Sequence, residues 1–178
     1  MSSENSPRYG IAFVVAGIVV LIDQASKAAA IAGLSRTERI PLLCDALGLQ
    51  LAFNPGAILS LGSGATWVLT VVGVAAVAAL FVAATRARTR GRAWGLGFIL
   101  GGAIGNVLDR LLSPPGFGRG HVTDFLAYGN WFIGNLADVA LAIGGVVLVV
   151  GLLLDQRAAA RTTQTIDRTD GSREDAAG

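Results

Sequence analysis

The chain alternates between long runs almost free of polar side chains and short, strongly polar connectors, and this alternation predicts its elements. One apolar run starts at Tyr9 and leads into a helix that carries DQASK, Asp23 to Lys27. Trp67 to Thr85 is a second run, of a length that lets a helix cross roughly 30 Å of hydrocarbon. A third extends from Ala93 to Leu112, and a fourth, VALAIGGVVLVVGLLL, follows Asp138. The expected spans are residues 11–32, 66–85, 93–112 and 134–154. The segment between the first two carries Arg36, Glu38, Arg39, Pro41 and Asp45 and cannot lie in hydrocarbon. Inside it Leu47, Leu49, Leu51 and Phe53 alternate with Gly48, Gln50, Ala52 and Asn54, the period-two pattern of a strand with one apolar face. Asn54-Pro55-Gly56 ends that pattern with turn chemistry, so residues 36–64 are expected to form a small β segment outside the bilayer. Taken alone, Asn54 reads first as a turn residue.

Composition agrees with a membrane protein. The 178 residues are 53% hydrophobic and 15% charged, with a mean hydropathy of +0.61. That is too apolar for an ordinary soluble domain. The fold class expected is an all-α integral membrane protein of four transmembrane helices with a small extracytoplasmic sheet. The first run is read as a retained helix rather than a cleaved leader, because further membrane-length segments follow it. The formal charge of +2 comes from arginines between and after the runs, with no basic stripe interleaved with aromatics, so no nucleic-acid partner is expected. Arg86, Arg88, Arg90 and Arg92 crowd a short connector, which the positive-inside rule assigns to the cytoplasm. Both termini are then cytoplasmic and residues 33–64 lie outside. Residues 1–154 read as one membrane domain, and the polar stretch 155–178 as a disordered cytoplasmic tail.

Polar residues inside the runs carry the candidate chemistry, since charge at membrane depth is costly and usually retained for function. Asp23 and Lys27 are four apart and share a helix face. Two readings stand level: an ion pair with Lys27 snorkelling to the headgroups, or support for a neighbouring polar site. In the third span Gly97, Gly101, Gly105 and Asp109 form one stripe, and Gly102, Asn106 and Arg110 another. The glycines suit close helix packing. Asn106 and Arg110 look like donors offered to an anionic or carbonyl group. Ser113 to Gly120, SPPGFGRG, reads as a mobile outer loop that leads toward Asp124, with Trp131 and Phe132 as interfacial anchors and Asn135 and Asp138 on one face of the fourth helix. All these polar positions fall at one outer level, which implies a single pocket.

Elimination narrows the chemistry. The single cysteine, Cys44, and the single histidine, His121, supply no zinc-like spacing, so neither a metal nor a cofactor is expected. Ser26 and Lys27 are neighbours about 100° apart on a helix, and no Gly-x-Ser-x-Gly elbow exists. Cys44 has no nearby base. A pair of aspartates, Asp124 and Asp138, remains, able to share a proton and activate water. The competing class is a small transporter or proton relay using intramembrane Asp and Arg.

DQASK, FNPGAILS, GGAIGNVLDR, VTDF and GNLAD occur in the order found in the lipoprotein signal peptidases (signal peptidase II), and the chain resembles that family from Asp23 to Asp138. The resemblance implies a four-helix aspartyl endopeptidase of the bacterial cytoplasmic membrane, with an outer β-cradle and its active site at the outer face. Such an enzyme removes the signal peptide of prolipoproteins on the N-terminal side of a diacylglyceryl-modified cysteine. It further implies that Asp124 and Asp138 form the catalytic dyad, that Asn54, Asn106, Arg110 and Asn135 contact substrate or support the dyad, and that Asp23 and Lys27 give structural support. Prolipoproteins, membrane lipid and globomycin-type inhibitors are the implied partners. Two positions depart from the family pattern: Ile58-Leu59 where small and aromatic residues are usual, and Gly134 where phenylalanine is usual.

Overall fold

The structure, a computed structural model, describes residues 8–56 and 65–174, with side chains through Arg157. Its elements run α1 (Tyr9–Gly33), β1 (Ile40–Leu43), β2 (Leu47–Asn54), α2 (Thr66–Thr85), α3 (Arg90–Leu112), β3 (Val122–Tyr128), β4 (Phe132–Gly134) and α4 (Leu136–Glu174). Four helices are long and apolar enough to cross a membrane, and the protein is a multi-pass membrane protein. Their outward faces carry exposed Val14, Ile18 and Leu21 on α1, Val71 and Phe81 on α2, and Val146 and Leu153 on α4. That inverted pattern is the one lipid favours.

The third helix is the hub on which the other three pack, and its glycines make this possible. A Cβ on Gly101 would fall 2.7 Å from Val19 Cβ and 2.8 Å from the Ala16 carbonyl of α1. On the adjacent face, one on Gly102 would fall 2.6 Å from the Ala137 carbonyl of α4. Close backbone approach thus replaces large interdigitating side chains, and the buried centre of α1, α2 and α3 is built of Ala12, Ala16, Ala84, Ala87, Ala93, Leu96 and Leu100.

At one end of the bundle the strands form an antiparallel sheet in the order β1-β2-β3-β4. The alternation read in the sequence does mark β2, although a register shift between Leu49 and Ala52 breaks its burial pattern. Leu51 packs with Ala30 of α1 and Phe125 of β3, which seats the sheet on the end of α1. Three expectations are corrected. Asp124 does not sit on a mobile loop: it lies within β3, opposite Ala52 of β2. The 113–121 connector is itself tied down, by Thr70 Oγ1 donating to the Gly118 carbonyl at 2.8 Å and by Gly120 N–H donating to the Arg110 carbonyl at 2.9 Å. Phe132, expected as an anchor of the fourth span, belongs to β4, paired with Tyr128 and stacked on its ring.

The fourth helix runs to Glu174, so residues 155–174 are helical where disorder was expected. Once a span has nucleated a helix, each further residue adds a hydrogen bond at little cost, and Asp155 to Asp170 contains neither proline nor glycine. At the end away from the sheet, Arg92 Nε meets Asp155 Oδ2 at 3.0 Å, tying the start of α3 to α4. The departure at Ile58 and Leu59 lies outside the described residues.

Candidate active site

The site is built where the ends of α1, α3 and α4 meet the sheet, and its most constrained piece is the start of α4. Asn135 precedes the helix and accepts the Asp138 N–H on Oδ1 at 3.0 Å, while Asp138 Oδ2 accepts the Asn135 N–H at 3.1 Å. This reciprocal arrangement is a capping box built from Asn and Asp, and it fixes the Asp138 carboxylate at the helix mouth. Gly134 contributes space: a Cβ there would stand 2.9 Å from Asp138 Oδ2.

Asp124 approaches from β3. It is 3% exposed, with Oδ1 accepting from Asn135 Nδ2 at 2.7 Å and Oδ2 from Asn54 Nδ2 at 3.2 Å. Asp138 Oδ1 accepts from Asn106 Nδ2 at 3.0 Å. The amide orientations follow from hydrogen-bond logic. The Asn54 oxygen takes the Gly56 N–H, the Asn106 oxygen takes the Lys27 ammonium, and the Asn135 oxygen takes the Asp138 N–H. Each of those partners can only donate, so each NH2 group must turn to a carboxylate. Three asparagines therefore present donors to two acids.

Burial pushes the Asp124 carboxyl up from 3.8 to about 7, reinforced by the charge of Asp138 and opposed by the amides of Asn135 and Asn54 and the charge of Lys27. Burial also raises the Tyr128 hydroxyl, with Asp138 adding to the effect. One of two neighbouring carboxyls thus keeps a proton near neutrality, the state needed for a donor beside a base.

Lys27 does not snorkel. It is 3% exposed and turned inward, 2.8 Å from Asp23 Oδ2 and 2.9 Å from Asp109 Oδ2. Asp109 is the residue that the sequence placed on the glycine stripe without a role of its own. Its cost at membrane depth was the available signal, and it stands only three residues beyond Asn106 on the same helix. Gln24 was missed as well; its Nε2 reaches Asp23 Oδ2 and Asp109 Oδ1, each at 3.2 Å. Arg110 is 8% exposed and directs its guanidinium to the carbonyls of Pro55 and Gly56 rather than to either acid of the pair.

Asp124 and Asp138 both line a cavity of about 550 Å³. Its polar end holds Asn54, Asn106 and Arg110, and its floor is an apolar trough running between α2 and α4 over α3, past Leu69, Val72, Ala103 and Leu141. A second hollow of about 340 Å³ meets the first at Asn54 and Asp124 and is walled by Phe53, Trp131 and Phe132. The arrangement can hold a water between two carboxyls while accommodating an extended chain and a long apolar group.

The family described as "Signal peptidase (SPase) II" matches residues 15–154. The chain is 42% identical over 149 residues to the lipoprotein signal peptidase of Bifidobacterium longum subsp. infantis, covering 84% of this chain and 81% of that one. It is 39% identical over 142 residues to the lipoprotein signal peptidase of Rhodococcus jostii, covering 80% and 72%. A solved structure of a bacterial membrane enzyme superposes with a TM-score of 0.70 at 23% identity, covering 86% of this chain and 94% of that one, a likeness of fold.

Proposed function

The chain belongs to the signal peptidase II family, and from that premise we propose that Asp124 and Asp138 are the catalytic dyad through which it works. The protein is an aspartic endopeptidase that cleaves the signal peptides of prolipoproteins. A transporter or proton relay is not favoured: the relatives are peptidases, and the buried charges gather at one end of the bundle rather than along it. The observation that carries the dyad is the convergence of three anchored asparagine amides on two carboxyls at the head of an apolar trough.

In the proposed mechanism the substrate's signal helix enters the trough between α2 and α4 from the lipid, with its acyl chains remaining in hydrocarbon. The scissile carbonyl comes to rest at the polar end. One aspartate takes a proton from water as its oxygen bonds to the carbonyl carbon, and the protonated partner donates to the carbonyl oxygen. The tetrahedral diol collapses as the aspartate that took the water proton gives it to the departing amine and the other aspartate takes a proton from a diol hydroxyl, which leaves the pair again with one proton. The raised carboxyl of Asp124 supports its holding the proton at rest. Asn54, Asn106 and Asn135 orient the two acids. Arg110 holds the carbonyls of Pro55 and Gly56 beside the cavity, and Asp23 and Lys27 support the site from below.

The same reading takes residues 1–154 as the peptidase domain, the host membrane as the bacterial cytoplasmic membrane, both termini as cytoplasmic and the site as opening on the outer face. The arginines opposite the sheet support this orientation. A globomycin-type cyclic peptide would compete for the same cavity. Asp124→Asn and Asp138→Asn are each expected to abolish cleavage of a diacylglyceryl-modified prolipoprotein in detergent while the protein still purifies as a folded species. Near-normal turnover in either variant would remove the dyad.

A further inference from the structure

The buried charges behind the dyad have a more specific arrangement than support requires. Asp109 Oδ2 accepts the backbone N–H of Thr123 at 2.9 Å, the residue immediately before Asp124. Asp23 Oδ1 accepts the backbone N–H of Ala137 at 2.9 Å, the residue immediately before Asp138. Lys27 lies between these two carboxylates, 2.8 Å from Asp23 and 2.9 Å from Asp109. Its third donor goes to Asn106 Oδ1 at 3.1 Å, whose amide bonds Asp138. An ammonium has three N–H groups and each finds an acceptor, so the position of the nitrogen is determined from three sides. Gln24 closes the ring by donating to both carboxylates.

Resting on the dyad reading above, we propose that Asp23, Lys27 and Asp109 form a brace that sets the separation of the two catalytic aspartates, making Asp109 and Lys27 positioning residues for the cleavage reaction. Each arm acts through one backbone amide, and the shared lysine fixes the distance between the arms. The strand carrying Asp124 and the helix carrying Asp138 come from different layers of the fold; Asn135 Nδ2 joins them at the site itself, 2.7 Å from Asp124 Oδ1, and the two ion pairs of Lys27 join the carboxylates that hold each of them from behind. Charge-assisted hydrogen bonds are short and directional, which suits them to this task. Removing the middle of the brace lets β3 and α4 relax apart, and the Asn106 oxygen, which also accepts from Asn135 Nδ2 at 3.2 Å, loses the charged one of its two donors.

The test is cleavage of a diacylglyceryl-modified lipopeptide spanning the scissile bond, by the full chain in detergent, comparing wild type with Asp109→Asn, Lys27→Met and Lys27→Arg across pH. The charged and titratable groups facing Asp124 are Asp138 from α4, Lys27 from α1, Asp109 and Arg110 from α3, and Tyr128 along β3 itself. A positioning role predicts that kcat falls about 10²-fold in the asparagine and methionine variants, the cost of a shift of about 1 Å at a reacting group, with KM nearly unchanged. It also predicts that in Asp109→Asn, where the lysine charge is kept, the falling limb of the pH profile moves to lower pH, because separated carboxyls repel each other less; in Lys27→Met the loss of a charge that holds the Asp124 carboxyl down works against that shift, so the pH profile is read from Asp109→Asn. Lys27→Arg, which keeps the charge, should restore part of kcat. Losses of activity that merely track the loss of folded protein, with an unmoved pH profile, would overturn the proposal, as would failure of both Asp109→Asn and Lys27→Met to fold. Full activity in Asp124→Asn, run in parallel, would instead remove the dyad reading itself.

Discussion

Replacing Asp124 by asparagine should remove a pH dependence of stability that the wild-type protein carries. The carboxyl is buried in the folded chain and raised from 3.8 to about 7, chiefly by burial and then by Asp138. At 1.36 kcal/mol for each pH unit, a rise of that size is worth about 4 kcal/mol. Its sign follows from proton uptake. Between about pH 4 and pH 7 the folded chain holds a proton that the unfolded aspartate has released, so stability falls as pH rises through that window. The contribution is present in full below 3.8 and gone above about 7. Asparagine cannot titrate, so thermal unfolding of the variant in detergent should lose this slope relative to wild type. It should also carry a constant penalty of about 1–3 kcal/mol, because Asn54 and Asn135 both aim NH2 groups at the position and an amide can accept only one of them. Parallel pH profiles for the two proteins would show that some other group titrates and would refute the reasoning.

Other expectations follow from the same geometry. Asp138→Asn removes the second cause of the raised Asp124 carboxyl, so the unfolding midpoint of that variant should vary with pH over a window displaced to lower pH. Gly134→Ala sets a methyl group 2.9 Å from Asp138 Oδ2 and should lower kcat by about tenfold, roughly 1.4 kcal/mol, with little loss of stability; an unchanged kcat would show that the carboxylate can shift without consequence. Gly101→Leu forces a branched side chain against Val19 and the Ala16 carbonyl and should destabilise the bundle by about 1–3 kcal/mol or more, read from the unfolding midpoint in detergent. Trp131→Ala opens the wall of the smaller hollow and should raise KM for lipopeptide while sparing kcat, as measured by initial rates over a substrate series.

The four helices were legible because lipid imposes length and apolarity on any segment that crosses it, as in the second, Thr66–Thr85, which is apolar almost throughout. The second half of the sheet was not. The third strand is buried at Val122, Thr123, Asp124 and Phe125 in succession, so it shows no alternation, and its one acid resembles a loop residue. The fourth strand, three residues long, carries too little pattern to be seen at all. Asn54 illustrates the limit for single positions. Its turn chemistry is real, since Oδ1 accepts the Gly56 N–H, yet the same side chain bonds Asp124. Spacing could join Asn135 to Asp138 because they share a helix turn, but it could not join Asp109 to Thr123 or Asp23 to Ala137, contacts that exist only once α1, α3 and the sheet have met.

The Asp23–Lys27 pair closes within a single turn of α1, at 2.8 Å. The first helix, which leaves the ribosome before α3 and α4, therefore carries both charges of this pair with it. It can enter the bilayer without waiting for Asp109 or for the N-terminus of α4, both of which are synthesised much later. The order of synthesis then matches the order of need: the lysine arrives with one partner attached, and acquires its second when α3 inserts beside it.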